Sequence, residues 1–165
     1  MIKKLPRSRY FLMIGIILGG ILLDQLTKFL AVRYLAPVDT VPLWENVLHL
    51  TYVENTGAAF GMMKDARWAF LLLSSVAIVG IAVYLFFGYA RGVLATVAFS
   101  MIVSGGIGNM IDRIALGYVV DFIDFRLIHF AVFNGADSFV CVGAGLLVLS
   151  LILDILHEKK EKKNT

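Results

Sequence analysis

Residues 68–111 read WAFLLLSSVAIVGIAVYLFFGYARGVLATVAFSMIVSGGIGNMI, with Arg91 as their one charge. The two uncharged arms, Trp68–Tyr89 and Gly92–Ile111, each reach the roughly 20 residues that cross the hydrocarbon of a bilayer. Arg91 sits in a tight Gly88–Gly92 turn. The stretch therefore predicts two membrane-spanning helices, about 68–89 and 92–112, joined by a short connection. Further out, Ser138–Leu153 is uncharged and, with its flanks, predicts a span over about 137–156. Tyr10–Leu23 opens another, which continues through Asp24-Gln25-Leu26-Thr27-Lys28 to about residue 35.

Composition agrees with this reading. The chain has 165 residues, 59% of them hydrophobic and 16% charged, with a mean hydropathy of +0.84, which is the membrane class. The expected fold is mainly α, one membrane-embedded domain over 1–165 built on a four-transmembrane-helix bundle. The apolar run after Lys3, Lys4, Arg7 and Arg9 imitates a secretory signal peptide, but it has no small-residue cleavage site and is expected to be an uncleaved first helix. Cys141 is the only cysteine, so no disulfide framework is expected, and its place inside helix four makes it no N-terminal lipid-attachment site. Lys3, Lys4, Arg7, Arg9, Arg91, Lys159, Lys160, Lys162 and Lys163 fall on one side of the spans, which predicts cytoplasmic termini. The net charge of +3 then faces anionic lipid headgroups and calls for no nucleic acid.

Two segments are not spans. Residues 37–67 hold Val47-Leu48-His49-Leu50-Thr51-Tyr52-Val53, a strand-like run, followed by the small-residue stretch Asn55-Thr56-Gly57-Ala58-Ala59-Phe60-Gly61. A small extracytoplasmic β-element is expected there. Residues 116–133, with apolar side chains around Asp121, Asp124 and Arg126, predict a short interfacial helix.

Carboxylates in or beside apolar stretches are functional candidates by default. Asp24 lies roughly 22 Å beyond Arg9, Asp112 about 31 Å beyond Arg91, and Asp137 about 30 Å before His157, at 1.5 Å per helical residue. With Asp121 in the loop between helices three and four, these acids gather at the outer boundary, and Asp154 alone sits at the opposite face. Asp121 and Asp137 form the sharpest pair. Two carboxyls held close in low dielectric share a proton, so one could act as base on water and the other as acid on a carbonyl, without metal or cofactor. The structural alternative is that Asp121 decorates the interfacial helix and Asp137 caps helix four. Asp24 and Lys28 are spaced to pair on one helix face, and Asp112-Arg113 offers a second opposite-charge pair. Asn109 and Asn134 could orient backbone or carboxylates. Gly105, Gly106 and Gly108 suit close helix packing. His49, His129 and His157 are scattered, which argues against zinc.

Asp24-Gln25-Leu26-Thr27-Lys28, Asn55–Gly61, Gly105–Arg113, Val119-Val120-Asp121-Phe122 and Phe133-Asn134-Gly135-Ala136-Asp137-Ser138, in this order, resemble the motifs of the lipoprotein signal peptidase (signal peptidase II) family. Gly135 is the mild departure, standing where a larger aliphatic residue is common. The resemblance implies an aspartic endopeptidase of the bacterial inner membrane that removes the signal peptide from diacylglyceryl-modified prolipoproteins just before the lipidated cysteine. It implies Asp121 and Asp137 as the catalytic dyad, supported by Asp24, Lys28, Asn55, Gly57, Gly108, Asn109, Asp112, Arg113, Asn134 and Ala136. No cofactor is implied; membrane lipids and globomycin-type cyclic peptide inhibitors are the further partners. The Asp24–Lys28 and Asp112–Arg113 pairs are expected to keep surplus carboxylates from disturbing the dyad's proton. The rival reading is a small proton-coupled transporter, for which buried acids are also apt, although no inverted repeat is visible. A non-catalytic assembly subunit would leave the loop motifs superfluous.

Overall fold

The computed structural model describes residues 6–57, 67–90 and 92–163. Ala58–Gly61 of the second motif and the basic residues Lys3, Lys4 and Arg91 lie outside them. In chain order the elements are α1 (Arg7–Leu30), a π-helical turn (Ala31–Leu35), β1 (Thr40–Trp44), β2 (Leu48–Asn55), α2 (Arg67–Phe86), α3 (Gly92–Ala115), β3 (Val119–Asp124), a 3-10 turn (Arg126–Ile128) and α4 (Gly135–Lys163).

Arg7–Leu35, Gly92–Ala115 and Gly135–Lys162 are long and apolar enough to cross a membrane, and α2 adds the shorter apolar stretch Leu71–Phe86. Large apolar side chains such as Phe11, Leu22, Phe29, Leu72 and Leu151 point outward. A helix satisfies its own backbone hydrogen bonds, so such surfaces suit a lipid solvent.

The central helix is α3, which packs on α1, α2 and α4. Its glycines explain how. A methyl group on Gly105 would collide with the Ala136 carbonyl oxygen of α4, one on Gly106 would press on Ile78 of α2 at 3.1 Å, and one on Gly108 would lie 2.5 Å from the Asp24 carboxylate of α1. Three glycines within one turn thus admit three different helices. The expectation of close packing holds for each, and at Gly108 the neighbour admitted is a charged side chain.

The sheet has the order β1-β2-β3, antiparallel throughout. Asp39 and Asn46 bound β1 with φ of 67° and 58°, a left-handed conformation that short polar side chains tolerate. The third strand corrects the sequence expectation, for Val119–Asp124 is extended where an interfacial helix was anticipated. Its β-branched and aromatic residues favour the pleated surface, and β2 offers an edge on which they pair, Val53 opposite Asp121 and Asn55 opposite Val119. Helical character survives only as the turn Arg126–Ile128. Val120, with Leu50, Tyr52 and Phe122 packed around it, rests on Ala31 and Leu35. That contact clamps the sheet to the end of α1.

Candidate active site

Asp121 projects from β3 and is 1% exposed. Asn55, its diagonal neighbour across the β2–β3 ladder, donates Nδ2 to Asp121 Oδ2 at 2.8 Å, and Asn134 donates Nδ2 to Oδ1 at 2.7 Å. Burial pushes the Asp121 carboxyl from its ordinary 3.8 up to about 6; the Asn55 hydrogen bond opposes this and the charge of Asp137 adds to it. Below about 3.8 the group is protonated in both folded and unfolded chains. Between there and about 6 the unfolded chain ionises first, so folding is progressively penalised, and above that the penalty is constant. The melting temperature of wild type, measured relative to Asp121→Asn, should therefore fall between pH 4 and pH 6 and then level off. A flat difference across that window would contradict the burial argument.

Asp137 lies in the first turn of α4. Asn134 Oδ1 accepts the Asp137 N–H at 2.9 Å, and Asp137 Oδ2 accepts the Asn134 N–H at 3.3 Å. This is a reciprocal capping box, with Asn134 as the cap and Asp137 three positions on. It corrects the idea that Asp137 itself caps the helix, and it leaves Asp137 Oδ1 free to accept Asn109 Nδ2 at 2.8 Å. Asn134 therefore touches both carboxylates, and its Nδ2 also reaches Asn109 Oδ1 at 3.0 Å and the Val120 carbonyl at 3.3 Å.

Beneath this pair lies Lys28, 3% exposed. Its ammonium contacts Asp24 Oδ2, Asp112 Oδ2 and Asn109 Oδ1, each at 2.9 Å. Three donors thus meet three acceptors, and the Asn109 amide is turned so that its NH2 faces Asp137. The Asp24–Lys28 pairing expected from sequence is present. The Asp112–Arg113 pairing is not formed: successive helical residues point about 100° apart, so Asp112 turns to Lys28 while Arg113 reaches the carbonyls of Asn109 at 3.4 Å and Gly57 at 3.3 Å. One cation serves both surplus carboxylates. Asp24 Oδ1 accepts the Ala136 N–H at 2.9 Å and Asp112 Oδ2 the Val120 N–H at 3.1 Å, tying α1 to α4 and α3 to β3. Gly57 donates its N–H to Asn55 Oδ1 at 2.9 Å, which orients that amide toward Asp121.

Gln25 has no role in the sequence reading, yet its Nε2 bonds Asp112 Oδ1 at 3.0 Å, Asp24 Oδ2 at 3.2 Å and the Gly108 carbonyl at 3.3 Å. The available signal is a primary amide beside an acid in an apolar helix, since buried amides find partners. Asp124 stands apart from the pair, bound by Thr51 at 2.8 Å and Arg126 at 2.9 Å. Asp154 is at the distal end of α4. Among the described residues no group of three His, Cys, Asp or Glu is arranged to hold a metal ion.

Beside Asp121 opens a groove of about 330 Å³, lined by Asn55, Gly57, His129, Phe130 and Val132 among others. Asp121, buried at the edge of an open groove, and the half-buried Asp137 are both held by amide donors, an arrangement suited to general acid–base chemistry on a polar bond placed there.

Residues 16–153 match the family model described as signal peptidase (SPase) II. A lipoprotein signal peptidase of Brevibacillus brevis is 42% identical over 145 residues, covering 88% of this chain and 95% of that protein. One from Caldanaerobacter subterraneus is 48% identical over 128 residues, covering 77% and 86%. A solved structure of a bacterial membrane enzyme, obtained by the in meso method at 2.3 Å, superposes with a TM-score of 0.80 at 30% identity over 94% of each chain. These similarities favour the peptidase over the transporter.

Proposed function

The chain belongs to the signal peptidase II family, a bacterial membrane enzyme that removes signal peptides from prolipoproteins, and we infer that it does so by an aspartic mechanism carried by Asp121 and Asp137. The observation that supports this most directly is Asn134, whose side chain and backbone bind both carboxylates at once.

The two carboxyls share one proton. The ionised member takes a proton from water, whose oxygen adds to the scissile carbonyl carbon, while the protonated member gives its proton to the carbonyl oxygen. The tetrahedral intermediate then collapses: the C–N bond breaks, the amine nitrogen of the diacylglyceryl-modified cysteine takes up a proton, and the signal peptide leaves with a new carboxyl group. Asn55 and Asn134 hold Asp121, and Asn109 holds Asp137. Lys28, Asp24, Asp112, Gly108 and Ala136 fix the helices that carry them. Arg113 stays protonated, so it orients carbonyls rather than moving protons; Gly57, one of its acceptors, aligns Asn55.

In this reading the chain is a single membrane-embedded domain with four spans, α2 serving as the fourth. Both termini face the cytoplasm and the sheet covers the outer leaflet, where a lipidated cysteine partitions. Membrane lipids surround it, and globomycin-type cyclic peptides would block the groove beside the dyad.

Purified protein should convert a diacylglyceryl-modified prolipoprotein into signal peptide and a product beginning with the lipidated cysteine, read by mass spectrometry, and EDTA should leave the rate unaltered. Cleavage abolished by EDTA and restored by a metal ion would overturn the aspartic mechanism.

A further inference from the structure

The end of the molecule farthest from the dyad holds a cavity that this chemistry does not use. It lies between α2, α3 and α4, has a volume of about 510 Å³, and is lined by Tyr84, Phe99, Ser150, Asp154, His157 and Glu158 with apolar neighbours. α2 and α4 each pack on α3, and the cavity opens where their ends stand apart.

Among the described residues, three of its polar groups have no hydrogen-bond or ion-pair partner. Ser150 is 5% exposed, yet among the described residues its hydroxyl makes no hydrogen bond, unlike Ser100 and Thr96, which bond back to carbonyls of α3. Asp154 and Glu158, one helical turn apart on α4, form no ion pair or hydrogen bond among the described residues either; His157 meets Glu161 at 3.6 Å. Both carboxylates are exposed and offer a cation at the edge of the span a place to dock. The rings of Tyr84 and Phe99, 5.2 Å apart, line the same cavity, where aromatic rings can also attract a cation. Among the described residues of α4, Lys159, Lys160 and Lys162 do not line the cavity.

We propose that this cavity binds the basic N-terminal segment of the signal peptide being cleaved, so that the enzyme grips its substrate at both membrane faces. The proposal rests on the reading of the dyad and the orientation given above. Every signal peptide carries cations at its N-terminal end, followed by an apolar run of about 7–15 residues and then the cleavage site. In the proposed orientation those cations lie on the cytoplasmic side, where Asp154 sits. Along α4, Asp154 is about 25 Å from Asp137 at 1.5 Å per residue, which a helical apolar run of some fifteen residues with its flanks also spans. The enzyme then acts as a ruler, with charge read at one end and the peptide bond cut at the other.

The test uses the full-length enzyme in phosphatidylglycerol vesicles and two diacylglyceryl prolipoproteins that differ only in the N-terminal Lys and Arg, intact or changed to Gln. Wild type should prefer the basic substrate by about fivefold in kcat/KM, through KM, the upper scale of one exposed ion pair. Asp154→Asn with Glu158→Gln should reduce that preference to less than about twofold, and Asp154→Lys should turn it toward a substrate with an acidic N-terminal segment. Thermal melts check folding, and Asp154→Asn alone decides the matter if the double variant does not fold. A preference retained by folded variants overturns the proposal. So does a rate that responds to added ethanolamine lipid and not to the substrate's charge, since that result would make the cavity a lipid headgroup site. Asp121→Asn is run alongside: cleavage by it would refute the dyad, whereas its inertness together with an undiminished charge preference in the Asp154 variants would refute this proposal alone.

Discussion

Asp121→Asn and Asp137→Asn should each lose prolipoprotein cleavage by about 10²–10⁴-fold or more, the range general acid–base groups contribute, while remaining folded. The amide is isosteric with the carboxylate, and losing a buried ionisable group offsets part of the cost of a mismatched hydrogen bond. At Asp121 the mismatch is defined: both oxygens accept amide N–H donors, from Asn55 and Asn134, and an asparagine can accept on only one side. That leaves one opposed pair of donors, a cost of about 1–3 kcal/mol. The double variant should be scarcely slower than either single one, because groups that act as a unit are not additive. The measurements are turnover of a diacylglyceryl prolipoprotein and a thermal melt of each protein. Wild-type turnover by either folded variant would remove that residue from the mechanism.

Lys28→Met should have the second-largest effect, and on two quantities at once. Removing one partner of a buried pair costs about 3–5 kcal/mol, and here two carboxylates, Asp24 and Asp112, lose the same cation. Activity should fall too, since Lys28 holds Asn109 in the orientation that serves Asp137. The two effects separate in the background Asp24→Asn with Asp112→Asn. There the uncompensated charges are gone, so Lys28→Met should regain most of its melting temperature yet stay about tenfold below the same background with Lys28 intact, the scale at which misplaced catalytic groups lose rate. Unchanged folded yield and activity on Lys28→Met in the wild-type background would show that the lysine does neither job.

Much of the fold was legible because a bilayer imposes a length on apolar runs. The apolar runs at 68–89, 92–112 and 137–156 fall on the helices α2, α3 and α4, and the one opening at Tyr10 on α1 with its π-helical turn; of these α2 is the shorter apolar stretch. Asp24–Lys28 was legible for a related reason, since both residues sit on one helix and the helical repeat sets their spacing. The spacing of Asp121 and Asp137, by contrast, favoured a structural role over catalysis, and the resemblance of the motifs, not their geometry, singled the pair out.

What the chain's local pattern could not convey is who meets whom between elements. Val119–Asp124 is short and apolar, compatible with an interfacial helix until the free edge of β2 makes it a strand. Asp112 has an arginine next to it in sequence and a lysine from another helix next to it in space. Asn134 caps α4 by local geometry, but its hold on Asp121 exists only because β3 is clamped over α1. The Asp154 cavity needs three helix ends to exist at all. The order of residues alone dictates how many apolar helices the chain can make and which side chains are costly to leave in hydrocarbon. Which partner relieves each cost is settled by the folded packing, because a buried charge is stabilised by donors a few ångströms away in space, wherever along the chain those donors happen to lie.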